Sequence, residues 1–166
     1  MAFTCEVCGK AHAGETRDIR LSLPDPIFLL DEHEREQRAR VGDDSAVLQG
    51  KHGERFFVRA LLELPIEGED GYFGYGSWIE VGREDFAALG ELWDDEEGWR
   101  SDPFAGTLAN ELSPYAFTEG LPVLIRLRDV QRLPLVELGE GDHELVRAQK
   151  HGISAHRAHQ LATTVE

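Results

Sequence analysis

The sequence predicts an α+β fold with a mostly antiparallel sheet flanked by helices. Through the middle of the chain apolar residues alternate with period two, which is typical of strands with one buried face. Toward the C-terminus they recur at spacings of three and four, which is typical of helices. The chain has 166 residues, 41% of them hydrophobic, and this is enough for one domain with a single core.

This single domain, 1–166, divides into three parts along the chain. Residues 1–14 are small, polar and cysteine-bearing, residues 15–138 form a body of sheet and helix, and residues 139–166 form C-terminal helices. Within the body, residues 16–23 alternate weakly and predict a first strand.

A short charged helix is predicted over Asp31–Arg40, which has almost no apolar face. Pairs of opposite charge four residues apart, Glu34 with Arg38 and Glu36 with Arg40, are expected to support it. This pattern is typical of a solvated helix and gives no reason to assign a function.

The strongest strand signal covers Arg55–Ile66, where apolar residues alternate without interruption. The side chains expected to face the core are Phe56, Val58, Ala60, Leu62, Leu64 and Ile66. The opposite face begins with Phe57 and Arg59 and continues with Leu61 and Glu63, and it is expected to be partly solvated.

A second strand, Tyr72–Val81, follows a turn and is expected to pair with the first in an antiparallel hairpin. Its core face consists of Phe73, Tyr75, Ile79 and Val81. Gly74 and Gly76 weaken this strand and indicate a bulge or the close approach of another backbone.

The remaining elements follow from the same rules of periodicity and capping. A helix is predicted over Arg83–Trp93, and strands over Leu121–Arg128 and Leu133–Leu138. A further helix is expected to begin at Asp142 as its N-cap and to run to about Lys150. A last helix is expected to be capped by Ser154.

The composition is acidic, with 32 Asp and Glu against 17 Lys and Arg and a formal net charge of −15. This charge argues against nucleic-acid binding, which depends on neutralising phosphates, and against binding to an anionic membrane surface. It permits a basic partner protein. No export signal or apolar membrane span is visible, so the expected location is the cytoplasm.

The two cysteines form the only specific motif, Cys5-Glu-Val-Cys8-Gly9, followed by His12. A CxxC turn offers two thiolates to one zinc ion, and His12 is near enough to fold back as a third ligand. The spacing predicts a zinc-knuckle-like segment in which zinc is structural, because few apolar side chains could hold the segment together. A thiol redox pair and no special role are the alternatives.

Structural zinc is nearly always four-coordinate, so a fourth ligand is expected from a distant part of the chain. His143 is the leading candidate, because it lies at a predicted helix start where its side chain can reach a neighbouring element. Glu6 or a water molecule is the alternative.

Four stretches together resemble one bacterial family. They are the CxxCG motif with His12, the residues FFVRA at 56–60, FGYGSWIEV at 73–81 and DHEL at 142–145. They resemble the domain-of-unknown-function family numbered 2199, over nearly the whole chain. The resemblance implies a small soluble bacterial protein and implies no activity, substrate or partner.

Two functional hypotheses of different classes follow from these observations. The first is a protein-binding or regulatory module stabilised by zinc, with an acidic surface that suits a basic partner. The alternative is a zinc-dependent hydrolase in which the metal activates a water molecule and Glu6 or Glu144 is the general base. The sequence contains no serine-hydrolase or phosphate-loop motif, which favours the first hypothesis.

Overall fold

The computed structural model describes residues 18–164. The strands in this range are β1 (Asp18–Arg20), β2 (Ala39–Val41), β3 (Ser45–Gly50), β4 (Gly53–Pro65), β5 (Tyr72–Val81), β6 (Phe104–Leu108), β7 (Pro122–Arg126) and β8 (Leu135–Leu138). The helices are α1 (Asp25–Phe28), α2 (Glu32–Arg38), α3 (Arg83–Leu92), α4 (Glu144–His151) and α5 (Ala155–Thr164), with a 3₁₀ helix at Gly98–Arg100. No helix in this range is long and apolar enough to cross a membrane.

Five of the strands close into a barrel, in the order β4, β5, β6, β7, β8 and back to β4. Four of the neighbouring pairs in this ring are antiparallel: β4 with β5, β5 with β6, β6 with β7, and β7 with β8. A parallel pairing of Leu61 with Leu135 then joins β8 to β4 and closes the ring. The prediction of an α+β fold with a mostly antiparallel sheet is confirmed, and the closure into a barrel goes beyond it.

Three short strands extend the barrel at its edges. The first half of β4 pairs with β3, and β3 pairs with β2, both in antiparallel register. β1 pairs in parallel with β5 at Gly74–Gly76. A Cβ atom at Gly74 would lie 2.5 Å from the Asp18 Oδ1 atom and 2.8 Å from the Leu61 Cδ1 atom, so a larger residue there would require these two side chains to shift. The sequence predicts a bulge or the approach of another backbone at these glycines, and the backbone that lies beside them is β1.

The main core fills the inside of the barrel. All six core-facing residues predicted for Arg55–Ile66 are buried, at most 8% exposed. The predicted core face of β5 is buried in the same cluster: Phe73, Tyr75, Ile79 and Val81. Helices α3, α4 and α5 contribute Leu89, Leu145 and Leu161, which are fully buried. The two strands with the longest apolar alternation therefore form the centre of the fold.

A second apolar cluster covers part of the outer face of β4 and β5. Phe57 and Trp78 are fully buried there, together with Ile27 from α1. The expectation that this face of β4 is partly solvated is confirmed at Leu61 and Glu63, which are half-buried. At Phe57 and Arg59 the face is instead fully covered. The physical reason is that the segment following β1 packs across this face and excludes water.

Helix α2 is short and charged, as the sequence predicts. The ion pair between Glu34 and Arg38 is present, with 2.9 Å between the Oε2 and Nη1 atoms. The prediction of an ion pair between Glu36 and Arg40 is wrong, because the helix ends at Arg38 and Arg40 belongs to β2. In β2, Arg40 pairs with Glu54 instead, with 3.6 Å between the Nη2 and Oε2 atoms.

The first testable prediction concerns the core. Leu62→Ala should lower the free energy of unfolding by about 2–5 kcal/mol, because Leu62 is fully buried inside the barrel. Leu124→Ala is the matched control on β7, where the leucine is 37% exposed, and should cost less than about 1 kcal/mol. Urea titration of both variants measures the two costs. Equal costs would contradict the assigned faces.

Candidate functional site

An open cleft of about 690 Å³ lies on the outer face of β4 and β5, between β1 and the chain that leads into β8. Its walls combine apolar side chains with four arginines and three carboxylates. The charged residues are Arg20, Arg59, Arg128, Arg132, Asp18, Asp44 and Glu63. In a chain with a formal net charge of −15, this is a local excess of positive charge. Such an excess favours an anionic ligand.

The floor of the cleft is formed by the outward-facing residues of β4 and β5. Arg59, Leu61 and Glu63 face outward because the residues between them fill the barrel core. In the antiparallel register, Leu61 stands opposite Gly76 and Glu63 stands opposite Gly74. Because glycine has no side chain, the surface of the sheet at Gly76, opposite Leu61, is not covered by a side chain of β5.

Arg59 is a buried cation in the wall of the cleft. Its Nη2 atom donates to the carbonyl oxygen of Leu21 at 2.9 Å, and its guanidinium carbon lies 4.7 Å from the centre of the Trp78 ring. Its Nε and Nη1 atoms are buried without a hydrogen-bond partner. Burial lowers the pKa of Arg59 and the positive charge of Arg20 lowers it further, whereas the carboxylates of Asp44 and Asp43 oppose this fall. The guanidinium therefore has two buried donors without an acceptor in a residue that lines the cleft.

The carbonyl group of Leu21 fixes this arrangement because it also accepts from the Trp78 Nε1 atom at 3.0 Å. Buried Asn110 holds the same segment in place. Its Nδ2 atom donates to the carbonyl oxygen of Leu23 at 2.9 Å, and its Oδ1 atom accepts from the Trp78 backbone N–H at 2.8 Å. The position of Arg59 thus depends on residues that are distant in sequence.

The other end of the cleft groups Glu63 and Tyr72 with Asp18 and Arg128. The Glu63 Oε1 atom lies 3.7 Å from the Arg128 Nη1 atom. Burial raises the pKa of Glu63, Arg128 opposes this rise and Asp18 adds to it. Burial, Asp18 and Glu63 also raise the pKa of the Tyr72 hydroxyl. This end of the cleft therefore carries two carboxylates, Asp18 and Glu63, beside two arginines, Arg128 and Arg132.

The predicted zinc ligands Cys5, Cys8 and His12 lie outside the described residues. Across residues 18–164, no group of three or more His, Cys, Asp or Glu side chains could hold a metal ion. The first described residue, Asp18, lines the cleft. Glu144, the base considered for a hydrolase, does not line the cleft.

His143 is the N-cap of helix α4. Its Nδ1 atom accepts from the Leu145 backbone N–H at 3.0 Å, so its Nε2 atom carries the proton and donates to the Ala116 carbonyl oxygen at 2.7 Å. The prediction that Asp142 caps this helix is wrong by one residue. Both ring nitrogens of His143 are engaged, so zinc could bind it only in exchange for one of these hydrogen bonds.

The sequence alone does not predict the cleft. Alternation assigns Arg59 to the outward face of β4, but it does not distinguish a solvated face from one covered by a distant segment. The available signal is the arginine itself, which stands between Val58 and Ala60 in the most apolar strand of the chain. A cation in such a setting is a candidate functional residue, because buried arginine is rare without a partner.

Fold and cleft together define a class of protein: a small β-barrel whose core includes residues from three helices, with an open charged cleft on its outer face. The chain belongs to the family described as "Uncharacterized protein conserved in bacteria (DUF2199)", whose family model matches residues 4–153. The resemblance seen in the sequence is therefore confirmed. Comparison with curated proteins and with solved structures found no significant match.

The raised pKa of Glu63 gives a prediction about pH. The folded protein holds the Glu63 proton more tightly than the unfolded chain, so ionisation costs stability as the pH rises through the raised pKa. Glu63→Gln should therefore be at least as stable as the wild type near pH 7. Well below the ordinary pKa of 4.5 the contribution of this ionisation should be absent.

Chemical denaturation at several pH values measures this effect. Glu91→Gln, at an exposed position on α3, is the matched control for the change from a carboxylate to an amide. A loss of stability near pH 7 that is specific to Glu63→Gln would show instead that the contact with Arg128 outweighs the cost of burial.

Proposed function

We propose that the protein is a non-catalytic binding module whose cleft receives the anionic group of a ligand or partner. The observation that carries the proposal is Arg59, a buried guanidinium whose Nε and Nη1 atoms have no hydrogen-bond partner. Burying a charged group without full pairing is costly, and an incoming anion would supply the missing acceptors. Arg20, at the rim of the same cleft, adds positive charge that favours the approach of the anion.

The remaining surface supports a protein partner of the opposite overall charge. The chain carries a formal net charge of −15, and an acidic surface favours the approach of a basic protein. A partner that is basic overall and presents a carboxylate group to Arg59 fits both the surface and the cleft. This extends the protein-binding hypothesis from the sequence by assigning the contact to a particular site.

We also propose that the N-terminal segment binds one structural zinc ion through Cys5, Cys8 and His12. The CxxC spacing and the nearby histidine support this assignment. The fourth ligand is either water or a protein group, and His143 qualifies only if it gives up a hydrogen bond. The zinc ion would have a structural role and would not take part in a reaction.

Replacement of Arg59 tests the proposed binding function. Arg59→Met keeps a long apolar side chain beside Trp78 and removes the charge. The lost hydrogen bond to Leu21 is offset by relief from burying the guanidinium, so the free energy of unfolding should change by less than about 1 kcal/mol. Binding of inorganic phosphate and of sodium carboxylates, measured by titration calorimetry, should be abolished.

Arg126→Met is the matched control for this test. Arg126 is exposed and pairs with Glu137 outside the cleft, with 2.9 Å between the Nε and Oε2 atoms. The control should bind the same anions as the wild type. Unchanged binding in Arg59→Met, or no binding of any of these anions by the wild type, would contradict the proposed function.

Metal analysis tests the zinc proposal separately. Protein purified without chelator should contain about one zinc ion per chain, and Cys5→Ser or Cys8→Ser should abolish the metal, because a site that loses a thiolate binds zinc weakly. His12→Ala should weaken zinc binding, whereas His33→Ala, at an exposed position on α2, is the control and should not. Fully reduced wild-type protein without zinc would contradict the proposal.

A further inference from the structure

We infer that the ligand of the cleft is a carboxylate carried on an apolar body, and that Gly76 is the residue that selects for this body. The inference rests on the proposed function, because it assigns the part of the ligand that extends away from Arg59. It concerns a residue that the fold alone does not explain.

The fold does not require glycine at position 76. A Cβ atom there would lie 3.5 Å from the Ile19 carbonyl oxygen and 3.6 Å from the Arg20 Cα atom, which are ordinary contacts. Gly76 is not among the glycines with positive φ. Two residues earlier the situation is different, because a Cβ atom at Gly74 would lie 2.5 Å from Asp18 Oδ1. Glycine inside a strand is less stable than alanine, so its presence at position 76 calls for another reason.

That reason is the space that Gly76 leaves in the cleft. Gly76 lines the cleft directly opposite Leu61, and the surrounding wall is apolar. The apolar wall residues are Ile19, Leu61, Leu133 and Leu135. Arg59 lies two residues before Leu61 on the same face of β4, so the guanidinium adjoins this open apolar floor. A ligand can place its anionic group at Arg59 and rest its body on the bare strand.

The lining favours a carboxylate over inorganic phosphate. The free donors belong to one guanidinium, whereas a phosphate dianion loses more hydration and needs more donors to replace it. At the distant end of the cleft Arg128 already lies 3.7 Å from the Glu63 carboxylate, between the Nη1 and Oε1 atoms, and the Asp18 carboxylate lines the same end. A monoanion with an apolar body therefore matches both ends of the cleft.

A chain-length series tests this inference on the full-length protein. Acetate, butyrate and hexanoate are the carboxylate probes, inorganic phosphate tests the bare anion, and hexanol tests the bare apolar body. Each buried methylene group should tighten binding about fourfold, so hexanoate should bind at least about tenfold more tightly than acetate once two of its four additional methylene groups are buried. Phosphate and hexanol should each bind at least about tenfold more weakly than hexanoate, because each lacks one half of the ligand.

Substitution of Gly76 is the second arm. Gly76→Val should weaken hexanoate binding at least about tenfold and leave acetate within about twofold, because the added side chain occupies the floor and not the anion site. Gly76→Ala should weaken hexanoate binding less than Gly76→Val does, and it should not lower the midpoint of thermal unfolding. This variant still tests the inference if the valine variant does not fold. Gly90→Ala on α3, where a Cβ atom meets nothing within 4 Å, is the matched control.

The outcomes separate this inference from the proposed function. If acetate and phosphate bind through Arg59 but hexanoate binds no more tightly, or if Gly76→Val leaves hexanoate binding unchanged, the inference is overturned and the proposed function stands. If no probe binds, both are overturned. An acetylated alanyl-leucine peptide with a free carboxylate, compared with its amide, distinguishes the source of the carboxylate. Tighter binding than hexanoate indicates a polypeptide C-terminus, and weaker binding indicates a small organic acid.

Discussion

The antiparallel pairing of β4 with β5 is the constraint on which the rest of the structure depends. The two strands hold ten residue pairs in register. The other edge of β4 pairs with β3 along its first half and with β8 farther on. This one strand therefore supports both the added strands β3 and β2 and the closure of the barrel. A slip of one residue would exchange the inner and outer faces of β4, which would place Phe57 and Arg59 in the core.

The same strand therefore determines both the core and the cleft. Its inward residues are uniformly apolar, whereas its outward residues change from a buried phenylalanine to a buried arginine and then to a half-buried glutamate. The fold accommodates Arg59 by stacking it on Trp78 and giving it one carbonyl acceptor. The Nε and Nη1 atoms of the guanidinium still have no hydrogen-bond acceptor. Incomplete satisfaction of a buried polar group is typical of functional sites, where local stability is sacrificed for binding.

The sequence predicts those parts of the fold that have a local signal. Long alternation specifies β4 and β5, and spacing of three and four specifies α3. β6 was not predictable in this way, because it is short and contains Gly106, where a Cβ atom would lie 2.7 Å from the Glu80 carbonyl oxygen. Barrel closure and the cleft depend on contacts between distant segments, such as Arg59 with Leu21. The zinc site remains a prediction, since its ligands near the N-terminus lie outside the described residues.

The closure of the barrel also has a consequence for its motions. β8 meets β4 at a single residue pair, Leu61 with Leu135, supported by the Leu61 N–H donating to the Pro134 carbonyl oxygen at 2.8 Å. Few backbone hydrogen bonds must break to separate β8 from β4, so the barrel opens locally most readily between these two strands. Leu61 and Leu135 also line the cleft. A molecule bound in the cleft would contact both strands and would oppose their separation. The Leu61 amide hydrogen should then exchange with solvent more slowly than it does in the free protein.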